Sequence, residues 1–252
     1  MCFCAGPWVK AICVRSSINI VINKHKKRSM KKIVIGIVLA TISLYGFTQN
    51  KDIVYKKMIQ SRAFKIVKAL SLTDTIKEQK VTGVVALQYI ELNDIYNRRD
   101  SVIKQIKSDL ANGAKPDGSL VKLIEARTTA SVDSLHSIYL KKLSAELNPA
   151  QVEQIKDGMT YKVLPITYHA YMDMLPNLTE EQKKQIMDWL VEAREHAMDG
   201  ESSAKKHAWF GKYKGRINNY LSQQGYDMKK ESMEWEKRIK ERQQASQKPA
   251  AR

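Results

Sequence analysis

The chain has 252 residues, 43% of them hydrophobic, and carries 43 Lys/Arg against 26 Asp/Glu for a formal charge of +17. All three cysteines (Cys2, Cys4 and Cys13) precede residue 14, which excludes a disulfide framework for the remainder. That remainder, roughly 200 residues, is long enough to rest on a hydrophobic core of its own.

Residues 1–29 hold a basic run from Lys24 to Arg28 and no acidic residue, and read as an extension upstream of a start at Met30. Cys2-Phe3-Cys4 matches no closed zinc site, so no metal or other cofactor is expected there. Residues 30–49 have the layout of a secretory signal. Met30-Lys31-Lys32 is positive, Ile33 to Phe47 is a 15-residue apolar run, and Gly46 to Gln49 is a small-to-polar exit. The run is shorter than the roughly 20 residues a spanning helix needs, so no stable membrane anchor is expected. The expected location is the periplasm or beyond it, in a Gram-negative envelope.

Removing the eight Lys/Arg of residues 1–48 leaves 35 basic and 26 acidic residues, a charge of +9. Residues 203–242 alone carry eleven Lys/Arg against five Asp/Glu. A basic surface recruits polyanions. Outside the cytoplasm these are acidic glycans or lipid headgroups rather than nucleic acid.

From residue 50 to 242 the apolar spacing is helical nearly throughout, predicting a single all-α domain followed by a disordered tail at 243–252. A first helix over 51–70 places Ile53, Met58, Ile59, Ile66, Val67 and Leu70 near one stripe. A second opens on a capping box, Thr75 to Glu78, and keeps spacings of four and three from Val81 through Val85, Gln88, Leu92, Ile95, Arg99, Val102 and Ile106 to Leu110. Asn112-Gly113 ends it and Lys115 to Gly118 forms a turn. A third helix over about 119–146 should then pair with the second as a long antiparallel hairpin. Shorter helices follow as a C-terminal bundle. One is opened by Asn148, Pro149 and Gln151, one lies between Pro165 and Pro176, and one runs from the capping box Thr179–Gln182 to about Met198. The next spans 204–224 and stops at Gly225, and the last is capped by Asp227.

Leu147-Asn-Pro-Ala-Gln151, with Ile155, recurs 31 residues later as Leu178-Thr-Glu-Glu-Gln182, with Ile186. Each copy is a helix start. The leucine staples the entering chain, Asn or Thr caps, and Gln closes the box. The phrase also resembles the Leu-Thr-x-x-Gln motif of small periplasmic helical chaperones, which implies a partner-binding alternative.

Asp157 to Asp227 is the aromatic-rich part of the chain. On a helix over 204–224, Phe210, Ile217 and Leu221 share a buried face. Trp209, Tyr213, Arg216 and Tyr220 recur at i, i+4, i+7 and i+11 on a neighbouring one. With His207, Lys212 and Asn219 they form the candidate ligand-binding set. Rings of this kind stack on pyranose C–H faces, and fork-shaped donors read hydroxyls or carboxylates. Gly211 and Gly215, each costing about 1 kcal/mol inside a helix, point to a close approach of a neighbouring backbone or a ligand.

The block Asp157-Gly-Met-Thr-Tyr161, the phrase at 176–182, Trp189 to Glu195, and above all His207 to Tyr220 through Gly225-Tyr226 resemble the secreted Bacteroidetes family called domain of unknown function 3826. The resemblance spans essentially residues 50–242. It implies an exported protein of glycan metabolism with a suggested sugar-binding role, and it supplies no catalytic residue.

Catalysis has no comparable signature. Carboxylates such as Asp157, Asp173, Glu192 and Glu195 are the pairs any helical protein has, and no nucleophile elbow, phosphate loop or dinucleotide fingerprint occurs. His169/Asp173 and Glu192/His196 stand at i, i+4 without a longer ligand pattern. Lys, Arg, His and Tyr near 207–220 keep a polysaccharide lyase or hydrolase as an alternative to carbohydrate binding. The glycan's identity and the oligomeric state are not written in the sequence.

Overall fold

The structure, a computed structural model, describes residues 52–111 and 118–247; the predicted extension, signal and 112–117 turn lie outside these. The described residues form eight helices and no strand. α1 covers 52–68, followed by α2 (Thr75–Ala111), α3 (Gly118–Ser144), α4 (Pro149–Met159), α5 (Val163–Met174), α6 (Glu180–Met198), α7 (Ser203–Gln223) and α8 (Met228–Gln247). The fold is all-α as expected. α8 carries helix through Gln247, five residues into the segment expected to be a disordered tail.

The chain divides into two compact units, Met1–Met58 and Ile59–Arg252, and the core lies in the second. In α1 the buried stripe is Ile59, Ala63 and Val67. Ile53 and Met58, expected on that stripe, are each 49% exposed. Ile66 lies against α4, where a Cβ built on Gly158 would come within 2.7 Å of its Cγ2. No side chain fits between the two helices at that point.

α2 begins one residue differently from its reading. Asp74, not Thr75, caps it, its carboxylate accepting from the N–H groups of Ile76 and Lys77 at 2.8 and 3.1 Å. A carboxylate is at least as good a cap as a hydroxyl and also meets the positive helix end. Glu78, freed from a capping box, pairs with Lys68 at 3.4 Å. α2 and α3 pack along one another as the predicted antiparallel hairpin: Lys80 near the start of α2 reaches Glu146 just past the end of α3 at 2.6 Å. Burial is confined to the inner half, with Val81, Val85, Ala86, Leu92, Leu135, Tyr139 and Leu143. Farther out Val102, Leu120 and Leu123 are 41%, 39% and 45% exposed, because there no third helix among the described residues covers the two.

Both capping boxes of the repeated phrase form as read, Asn148 with Gln151 and Thr179 with Gln182. Leu147, Ile155, Leu178 and Ile186 are all buried, so the phrase is a helix start stapled to a core. α5, α6 and α7 share one apolar cluster centred on Leu175, Ile186, Leu190, Phe210, Ile217 and Leu221. Gly225 at φ 92° ends α7, with Tyr226 N–H donating to the Leu221 carbonyl at 3.1 Å. α8, capped by Asp227, is clamped to the end of α5. Asp173 accepts from Arg242 at 2.6 and 3.0 Å and from Trp235 Nε1 at 2.7 Å.

Gly158→Ala should lower stability by about 1 kcal/mol or more, although Gly→Ala inside a helix ordinarily stabilises by a similar amount. In thermal unfolding, Gly158→Ala combined with Ile66→Ala should lose less than the two single losses added together.

Candidate functional site

The seven residues singled out on α7 do not converge on one opening. Tyr213 is buried at 5% exposure against α6, near Glu192, and burial pushes its hydroxyl up to about 12. Arg216 lies flat over Trp189 at 4.6 Å and reaches Glu192 at 3.6 Å, while Tyr220 meets the Trp189 ring edge-on at 5.3 Å. His207 stacks on Tyr161 at 5.5 Å. Asn219 is exposed, two residues from buried Ile217 and so on the opposite side of the helix. Trp209 stacks on His196 at 4.4 Å with Lys212 Nζ 5.1 Å from its ring. The face is therefore largely the α6–α7 seam, its rings and its arginine occupied by one another.

No neighbouring backbone approaches Gly211 or Gly215. A Cβ at either would meet nothing within 4 Å. They lie on open helix surface, which corrects the expectation of a backbone crossing there.

Trp209 does line an opening. A cleft of about 660 Å³ lies between the outer hairpin and the α6–α7 turn. The hairpin supplies Tyr96, Arg99, Glu125, Thr128 and Asp133, and the turn supplies His196, Asp199, Glu201, Lys205 and Trp209. Arg99 donates to Glu201 and Asp100 at 2.6 Å each, and its guanidinium sits 4.9 Å from the Tyr96 ring. The Tyr96 hydroxyl donates to the Asp199 carbonyl at 2.7 Å; burial, and then the charges of Asp199 and Glu201, push it up to about 12.

Behind the cleft is a layer of charge inside the protein. Asp199, 9% exposed at the C-terminus of α6, accepts from Gln88 at 3.3 Å and meets His136 Nδ1 at 2.7 Å. His136 Nε2 faces Glu195 at 3.5 Å, so the imidazole bridges two carboxylates. Its hydrogen bonds to Asp199 first, then Glu195, raise it to about 9 against the cost of burial. It is an imidazolium at neutral pH. Burial pushes Glu195 up, but His136 and then Lys156, at 3.1 Å, outweigh it and hold that carboxyl at about 2. Arg194, 2% exposed, continues the layer to Asp157 at 2.7 Å and to Glu153. Lys206 is also inside. It donates to the Met198 carbonyl at 2.6 Å, 5.6 Å from the Tyr89 ring, and burial lowers it to about 8.

The carboxylates weighed for catalysis are all engaged with cations: Asp157 with Arg194, Asp173 with Arg242, Glu192 with Arg216, and Glu195 with His136 and Lys156. Among the described residues no three His, Cys, Asp or Glu side chains converge as a metal site. Sequence reasoning missed Tyr96, His136, Asp199 and Glu201. A signal was present in Gln88 and Arg99, polar residues standing in the apolar register of the first hairpin helix.

Fold and cleft define an all-helical protein in which a hairpin meets a three-helix core across a charged layer. The chain belongs to the family described as Protein of unknown function (DUF3826), whose model matches residues 56–241. No curated protein matches it.

Two outcomes follow. Gly211→Ala and Gly215→Ala should each raise stability by about 0.5–1 kcal/mol, seen as a higher Tm. His136 is raised when folded, so its contribution is complete below about pH 6.5 and is lost as pH climbs toward 9. Between pH 6.5 and 8 the wild type should lose about 1.5 kcal/mol that His136→Gln does not lose in urea titrations. Above pH 8 Lys206, lowered when folded, contributes with the opposite sign.

Proposed function

We propose that this protein is exported and binds carbohydrate, with the cleft between the hairpin and the α6–α7 turn as its site. The observation that carries this reading is Trp209. Its ring is held against His196 on the wall of a cleft whose other walls are mostly hydrogen-bonding groups, Arg99, Thr128, Asp133, Glu201 and Lys205 among them, with Ile103 and Val132 as apolar patches. A saccharide presents an apolar C–H face and a rim of hydroxyls, which this pairing of ring and polar groups complements. The volume lies within the range of small-ligand sites.

The charge of the lining narrows the ligand. Asp100, Glu125, Asp133, Asp199 and Glu201 outnumber Arg99, Lys107 and Lys205, so an uncharged saccharide fits this cleft better than the acidic polysaccharide that the whole-chain charge points to. The setting proposed is a glycan-utilisation system in the periplasm or outside the cell. No helix among the described residues is long and apolar enough to cross a membrane. The partner-binding alternative draws on Val102, Leu120 and Leu123 standing exposed on the outer hairpin. It requires suppression of client aggregation at near-stoichiometric amounts.

On glycan arrays and in titration calorimetry with whatever sugar the arrays return, Trp209→Ala and Arg99→Ala should each weaken binding at least tenfold. Tyr220→Ala, away from the cleft, should leave it unchanged. Equal binding by wild type and Trp209→Ala would overturn the assignment of the site.

A further inference from the structure

A second cleft, of about 460 Å³, lies between α5, α7 and α8, and it has a different chemistry. Its apolar walls are Ile166, Ala170, Met174, Met228 and Trp235. Ile166 is 64% exposed, which leaves a branched apolar side chain open at the rim. The Trp235 ring is a fixed wall, because its Nε1–H donates to Asp173 at 2.7 Å.

Every polar side chain around this cleft can donate, and none carries a negative charge. Lys214 and Lys229 line it, and neither has an ion-pair partner among the described residues. Asn218 is turned to the same purpose. The buried Tyr171 hydroxyl donates to its Oδ1 at 2.7 Å, which occupies the amide oxygen and leaves the N–H₂ free. Tyr171 keeps its proton for this, since burial pushes it up to about 12. Ser232 and Thr167 add hydroxyls. Asp173, the carboxylate next to Met174, is already taken by Arg242 and Trp235.

We propose that this cleft binds a single-chain amphipathic anion, an alkyl or aryl carboxylate whose apolar body lies between Ile166, Met174 and Trp235 and whose head meets Lys214 and Lys229. An apolar floor gives affinity through the area it removes from water. Two ammonium groups without an ion-pair partner among the described residues, and a lining without a carboxylate, select the sign of the head. The site is separate from the Trp209 cleft and does not rest on the carbohydrate reading.

The test uses decanoate as probe, with decanol (same chain, uncharged head without a sugar), acetate (same head, no chain) and phosphatidylglycerol vesicles as comparisons, read by titration calorimetry. Decanoate should bind. Decanol should bind at least tenfold more weakly, and acetate not measurably. Lys214→Glu/Lys229→Glu, both at exposed positions, should cost decanoate at least tenfold, as should Ile166→Glu, while Trp209→Ala should change nothing. Decanoate binding unaffected by the lysine changes, equal binding of decanoate and decanol, or binding to vesicles without binding to monomeric decanoate would each overturn the proposal. The vesicle result would make the face a membrane surface instead.

Discussion

Asp199 is the point on which the arrangement of hairpin and bundle depends. It closes α6, a position where a carboxylate faces the negative end of the helix dipole and is disfavoured on its own. Two cations offset that cost. His136 reaches the carboxylate from α3, and Lys206 reaches the Met198 carbonyl at the end of α6 from α7. Gln88 and Tyr96 bring α2 to the same residue. Four groups from three other helices thus meet at one helix end. Truncating a partner of such a buried pair strands the other charge, typically at 3–5 kcal/mol, so the layer specifies one docking geometry more than it adds net stability.

The same layer explains why the cleft lies where it does. Apolar burial in the hairpin stops at Leu92 and Leu135, and the charged residues begin at that level. Beyond it α2 and α3 run on with no third helix against them, while the α6–α7 turn rises beside them only as far as Trp209 and Lys205. The gap between a protruding hairpin and a shorter helical pair is the cleft. Its floor is polar because Asp199 and its partners form it.

What could be read from the sequence was local. The caps at Asn148 and Thr179, the stop at Gly225 and the stapling leucines depend on residues three to eight apart, and all appear as read. Asp74 displaced Thr75 because two adjacent residues could cap, and Glu78 meets Lys68 instead of closing a box. Part of the face on α7 is covered by α6 for a reason the spacing does not contain. Rings at i, i+4 and i+11 mark a stripe, but whether a stripe meets solvent or a neighbour depends on what α6 presents opposite it. α6 presents Trp189, Glu192 and His196, which satisfy Tyr220, Arg216 and Trp209 one by one. Asp199, just past the expected end of its helix, draws its partners from 63 to 111 residues away, beyond any local pattern.

Net charge also says little about a single opening. The chain's surplus of lysine and arginine is reversed in the first cleft and sharpened in the second. Carboxylates outnumber bases around Trp209, whereas the lining of the second cleft holds Lys214 and Lys229 and no acid. Each departure has a local cause. At the first cleft the acids come with the C-terminal turn of α6 and the outer hairpin. At the second, Asp173 is withdrawn from the opening because it has to hold α8 through Arg242 and Trp235. The clamp that positions the aromatic wall is thus also what neutralises the Asp173 carboxylate next to Met174.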